Sequence, residues 1–277
     1  MTTLLTPDAP AADRLLLATR EILAFVDEAG WVPGPTLIHF RRCIEPAALD
    51  RLAERSPRLW TRVRQAAAPL RFTLREGMEL LAAAAHLDLE LVPEFDARAD
   101  TIWAEARGHY PVIADRSWAA LRRRYDRDPH RQLHRVYLLA HGRPVGYFVQ
   151  TSRFVRGVDT TTVLDFLASP RWLPGLLVAC VLYAHETNAG LLELATNDGM
   201  AAYWLRALGF KGTQIQALQA HLPAGLGDPR SLPPPDTWFL SAADVLTLED
   251  VDVLGALRAA APQDHLHIVS QAEEGEA

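Results

Sequence analysis

The stretch "YWLRALGFKG", residues 203–212, decides how this chain is read. Tyr203, Trp204, Leu205 and Leu208 recur at helical spacing, Gly209 stops the run, and the aromatic Phe210 follows at once. Glycine ends helices because it takes a left-handed conformation without steric penalty. Asp198 stands where a side-chain oxygen caps the first turn, so the helix is expected over 199–208. On one side of it "GLLELAT" (190–196) reads as a strand, and on the other so does "KGTQIQALQAHL".

Working outward, "LPGLLVACVLYAHETN" reads as a helix with Pro174 in its first turn, where a missing N–H costs nothing. "TTTVLDFLAS" (160–169) precedes it as a strand. "RVYLLAHGRPVGYFVQTSR" (135–153) is two β-rich runs around His141-Gly142-Arg143, hence a β-hairpin. Helices are expected near 95–107 and 116–126, a strand at 87–93, and a last strand in "TWFLSAAD" (237–244) after the proline-rich loop "GLGDPRSLPPPD". From residue 87 the order is β, α, α, β-hairpin, β, α, β, α, β, β. That implies an α/β or α+β domain with a mixed sheet. Upstream, 11–29 reads as an amphipathic helix ended by Gly30, "TLIHFRR" (36–42) as a strand, and 46–86 as two or three helical pieces. The expected division is a mostly helical region at 1–86, the α/β domain at 87–244 and a C-terminal helix or tail at 245–277.

The totals bound the function. With 277 residues the chain buries a real core, and 49% hydrophobic with 22% charged residues is ordinary for a globular protein. A net charge of -6 argues against nucleic acid, whose phosphates need a positive surface. Cys43 and Cys180 are too few for a disulfide framework and lack metal-ligand spacing, so no metal is expected. The longest apolar run, "GLLVACVLYA" (175–184), is about half of what spans a bilayer. No targeting segment is visible, and the expected location is cytoplasmic.

The element order and these residues resemble the GNAT N-acyltransferase superfamily. In that family the helix before the last strands reads Asn-x-x-Ala, then aromatics and Leu-Gly-Phe; here Asp198, Ala201 and Leu208-Gly209-Phe210 take those places. "DFLASP" places Asp165 five residues before Pro170, as the family's fourth strand does. The resemblance covers about 87–244 and implies a strongly twisted mixed sheet flanked by helices, with the strands at 160–169 and 190–196 splayed apart. "ILAFVDEAGWVPGPTLIHF" (22–40) echoes the same pattern and resembles the end of a second, shortened GNAT unit.

What the resemblance implies chemically is acyl transfer from acetyl-CoA or another acyl-CoA to an amine, on a small molecule or a protein. Asp165 would be the base or the amine anchor; the alternative is a structural Asp paired with an Arg or with backbone N–H groups. Ala168, Ser169, Arg171 and Gly175, with Asp198, fall where the family holds its cofactor. The loop "SPRWLPG" departs from the family's basic glycine-rich cradle: Pro174 donates nothing and Trp172 is bulky. Leu205 stands where a general-acid Tyr is usual. The resemblance therefore leaves two readings, an acyltransferase and a non-catalytic module that binds a ligand or partner. "RRRY" (122–125) could hold an anion, and a homodimer is one way to cover an exposed N-terminal strand.

Overall fold

The computed structural model describes residues 3–5, 16–19, 31–44, 87–126, 132–155, 157–221, 234 and 237–245. The expectations for 46–86, for the helix end at Gly30, for the proline-rich loop up to residue 233 and for 246–277 lie outside them.

Eight strands form one sheet in the order β2-β10-β3-β9-β8-β7-β6-β4, and three short parallel strands, β1-β5-β11, form another. The large sheet comprises β2 (Leu16–Thr19), β3 (Trp31–Cys43), β4 (Leu87–Val92), β6 (Leu133–Ala140), β7 (Arg143–Val155), β8 (Val158–Ala168), β9 (Leu191–Thr196) and β10 (Lys211–His221). The small one comprises β1 (Thr3–Leu5), β5 (Val112–Ala114) and β11 (Trp238–Phe239). Four α-helices, α1 (Arg98–Ala106), α2 (Trp118–Tyr125), α3 (Leu173–Glu186) and α4 (Gly199–Ala207), and two 3-10 turns, Arg107–His109 and Ala242–Asp244, complete the described elements.

The order expected from residue 87 onward holds, including the hairpin, except that the short strand β5 is inserted between α1 and α2. His141 and Gly142 both have positive φ (51° and 76°), the conformation a two-residue hairpin turn needs. Gly209 has φ 81° just past α4, as the stop signal required. Asp198 accepts from Ala201 N at 2.6 Å and Ser117 caps α2.

Three expectations are corrected. Leu16–Thr19 is a strand, paired antiparallel to β10, where a helix over 11–29 was expected. Its "LLAT" serves equally as a short apolar strand, and pairing to a neighbour decides. The strand expected at 237–244 shortens to Trp238–Phe239 followed by a 3-10 turn at Ala242–Asp244. The N-terminal strand extends over Trp31–Cys43 and has no open edge, because β10 and β9 flank it on both sides.

Helices cover both faces of the large sheet. Tyr147 reaches Phe95, just before α1, with ring centroids at 5.2 Å, while Phe148 meets Tyr183 of α3 at 5.8 Å. Consecutive strand residues point to opposite faces, so α1 and α3 lie on opposite sides. Gly146 lets α3 approach: a Cβ there would meet Leu176 Cδ1 at 2.9 Å and the Leu167 carbonyl at 3.1 Å. Phe148, Phe166, Leu167, Leu176, Leu177 and Leu205 are fully buried between the layers, each such side chain contributing about 1.5–3 kcal/mol.

Candidate functional site at the parting of two strands

β8 and β9 run parallel but pair only from Thr160↔Leu191 to Val163↔Leu194. Beyond that point Asp165–Ala168 stay on β7, and β9 continues beside β3. The strands part as expected, leaving a wedge between their C-terminal ends. A register slip marks the parting: Val149 pairs with Asp165 and Gln150 with Val163, so Leu164 is an extra residue, a β-bulge. Simple alternation places Val163 and Asp165 on one face. The bulge puts them on opposite faces and turns Asp165 to the side of Tyr147 and Arg116.

The wedge is filled by the chain itself. Ser241 bridges Thr196 of β9, and Leu240 N donates to Asn197 Oδ1 at 2.7 Å. On the β8 side, Ser241 Oγ lies 2.9 Å from Asp165 Oδ1. Phe239 packs against Phe166 (5.4 Å) and Tyr110 (4.5 Å). β5, which pairs with β11 and holds it in place, is too short at three residues to stand out in the sequence.

Around Asp165 lies an ionic lattice. Arg116, fully buried, donates from Nε to Asp165 Oδ1 at 3.1 Å and from a terminal nitrogen to Asp244 Oδ2 at 2.5 Å. Arg124, about a third exposed at 31%, reaches Asp244 Oδ1 at 3.3 Å and Asp165 Oδ2 at 3.8 Å. Tyr147 Oη donates to Asp165 Oδ2 at 3.1 Å, and Phe166 N donates to Oδ1 at 3.0 Å. Ser241 N donates to Asp244 Oδ2 at 2.9 Å. The Ser241 hydroxyl lies 3.1 Å from that same oxygen, so its single proton serves Asp165 or Asp244 at any moment. Tyr125 Oη is buried beside the lattice and has no hydrogen-bond partner.

Two arginines face two aspartates, which is how a protein tolerates buried charge. Burial opposes the charge on Arg116, but Asp165 and Asp244 outweigh it and hold its pKa well above the ordinary value. Burial likewise pushes the Asp244 carboxyl up, and Arg116 and Arg124 more than reverse this, holding it below the usual aspartate range. Burial, reinforced by Asp165, raises both Tyr125 and Tyr147 well above 10.

The expected cofactor residues are less well disposed. The Ser169 carbonyl accepts the N–H groups of Trp172 (2.9 Å) and Leu173 (3.1 Å), turning two loop donors inward. Ser169 Oγ donates to Glu105 Oε1 at 3.1 Å, and Glu105 also meets Arg143. Arg171 stacks over Trp172 at 4.8 Å. Ala168 is buried at the end of β8 and Gly175 in the first turn of α3. Asp198 serves as the cap of α4, its pKa raised by burial against the pull of the Ala201 and Met200 N–H groups. Leu205 is fully buried and Tyr203 is half exposed.

Arg116 and Asp244 were missed. An Asp on an apolar strand signals a cationic partner, but its partner lies 49 residues away and the second carboxylate 128 residues from that arginine. The run at 122–124 divides. Arg124 turns into the lattice, while Arg122 and Arg123 line an outer groove of about 540 Å³ with Glu94, Trp118 and Asp126. Among the described residues no three His, Cys, Asp or Glu side chains gather as a metal site, and no helix is long and apolar enough to cross a membrane.

No protein-family model and no curated protein matches the chain. Solved structures resemble it in fold. A GCN5-related N-acetyltransferase from Anabaena variabilis aligns over 77% of this chain and 46% of its own, at 11% identity and TM-score 0.47. N-myristoyltransferase of Saccharomyces cerevisiae, bound to myristoyl-CoA and inhibitors, aligns over 85% and 59%, at 12% identity and TM-score 0.48. A GCN5-related N-acetyltransferase from Kribbella flavida aligns over 79% and 71%, at 15% identity and TM-score 0.40. The chain thus spans less than half the length of the Anabaena protein. With β8 and β9 parted, α1 and α3 on opposite faces and, β5 apart, the element order expected from residue 87, the architecture is a mixed α/β sheet consistent with the GNAT fold.

Proposed function

We propose that this protein is a GNAT-fold binding module that keeps the acceptor end of an acyltransferase and has lost a tight donor end. Its ligand is an amine-bearing small molecule taken at Asp165. The observation that carries this is the loop at 169–175. Trp172 and Leu173 donate inward to Ser169, and Pro174 has no N–H. A pyrophosphate is held by several N–H groups converging on one anion. The residues of this loop, as placed, do not fit that group, and the turn carrying Ser241 and Asp244 fills the wedge between β8 and β9. Two missing hydrogen bonds to a charged group, at about 1.5–3 kcal/mol each, weaken binding by roughly two to four orders of magnitude.

A second reading, N-acyl transfer to an amine, is favoured by the parting of β8 from β9 with Asp165 at its apex. It requires an acyl-CoA held by other anchors. Calorimetric titration with acetyl-CoA and longer acyl-CoAs separates the two. The expected result is weak binding or none. A low-micromolar dissociation constant that Arg171→Ala leaves unchanged overturns the lost donor end and favours the acyltransferase over the module.

A further inference from the structure

The groove on the outer face of α2 has a shape fixed by one residue of the turn between β4 and α1. The Phe95 carbonyl accepts from Trp118 Nε1 at 2.8 Å, and the Phe95 N–H donates to Asp126 Oδ2 at 3.3 Å, so both ends of the helix face are tied to that turn. Trp118 is held again by its own N–H, which donates to Asp100 Oδ1 at 2.8 Å. The groove of about 540 Å³ is therefore open and pre-formed, with no movement of the chain required. Its volume falls within the range of roughly 300–1,000 Å³ typical of small-molecule sites.

The charges that line it are unequally spent. Asp126 is met by Arg135 Nε at 2.6 Å. Arg124 lies about 200° round the helix from Arg122 and turns the other way, into the lattice. Arg122 is exposed and, among the described residues, makes no hydrogen bond, ion pair or ring contact. It follows Trp118 by four residues, so the two share one face of α2, and Trp118 is 36% exposed. A guanidinium with its whole fork unengaged, one helical turn from a fixed and partly open indole, suits a planar anion: the carboxylate takes the fork and the ring lies against the indole. We propose that this groove binds a small aromatic monocarboxylate, with its carboxylate on Arg122 and its ring on Trp118. Glu94, exposed on the turn side of the groove, limits the ligand to one negative charge by repelling a second. Because the groove is on the face of α2 away from Asp165, this site stands or falls independently of the amine reading there.

The test is calorimetric titration of the full chain with sodium benzoate at constant ionic strength. One-to-one binding with a dissociation constant of about 1 mM or tighter is expected. Acetate lacks the ring, benzamide lacks the charge and phthalate adds a second carboxylate; each is expected to bind at least about tenfold more weakly. Arg122→Gln is expected to weaken benzoate about tenfold or more, and Arg122→Lys, which keeps the charge without the fork, to recover part of that loss. Arg122 has no described partner to strand, so the variants should melt with wild type, which places the loss in binding. Glu94→Gln is expected to bring phthalate closer to benzoate. Absence of benzoate binding up to about 10 mM overturns the site. So does benzoate binding that Arg122→Gln leaves unchanged, and so does acetate that binds as tightly as benzoate, which reduces the groove to a bare surface cation.

Discussion

The two ends of the wedge make opposite use of their polar groups. At the Asp165 end, charged side chains from β8, α2 and the segment before it, and the 241–244 turn converge on one another. At the 169–175 end, backbone donors fold back on their own loop and Arg171 lies flat on Trp172. The first end concentrates binding capacity that a competing ligand could claim; the second has spent its capacity on its own conformation.

The sharpest way to break this contrast is to remove one charge from the lattice. Arg116→Ala leaves Asp165 and Asp244 buried with Arg124 as their nearest described cation. Stranding a buried charge costs about 3–5 kcal/mol, far more than an exposed pair is worth. Urea denaturation is expected to show a loss in that range. A loss below about 1 kcal/mol means the lattice is solvated and the ends do not differ.

Acid sharpens the comparison further. Asp244 has a folded pKa below its unfolded value, because Arg116 and Arg124 overcome burial. Its contribution is therefore fully present above the unfolded value of about 3.9 and is lost as pH falls through the folded one. The stability gap between wild type and Asp244→Asn should be constant from pH 7 to about 5 and close below about 4. Urea midpoints across that range measure it, and a gap that widens on acidification contradicts the placement of Asp244 between two arginines.

How much of this was legible follows from range. Helix stops, caps and the hairpin turn are written in neighbouring residues, so Gly209, Asp198 and His141-Gly142 marked their elements correctly, while three-residue β5 escaped notice. The parting of β8 and β9 came from the resemblance. The bulge at Leu164 was invisible, because it exists only in the pairing of two strands. The N-terminal strand is in the same position: Leu16–Thr19 becomes β because β10 is beside it. Asp165, an Asp on an apolar strand, needed a partner, and an Arg was one of the readings the sequence left open. Which of the 28 lysines and arginines supplies it is settled by how β5 and α2 pack, and no local pattern around Arg116 records that.

The smallest effect tests the other end. Arg171 is exposed, and its described contact is the face of Trp172, itself only partly buried. A cation over an aromatic ring at an exposed site is worth roughly 0.5–1 kcal/mol, and lost packing of the stem adds little. Arg171→Ala is therefore expected to change stability by no more than about 0.5–1 kcal/mol in the same urea experiment. Because Ser169 and the N–H groups of Trp172 and Leu173 hold the loop without Arg171, its conformation should persist, read as an unchanged denaturant slope. A loss approaching that of Arg116→Ala would mean that Arg171 holds the 169–175 end together as the lattice holds the other. The loop would then be a second charged centre, and an anion seat there would have to be reconsidered.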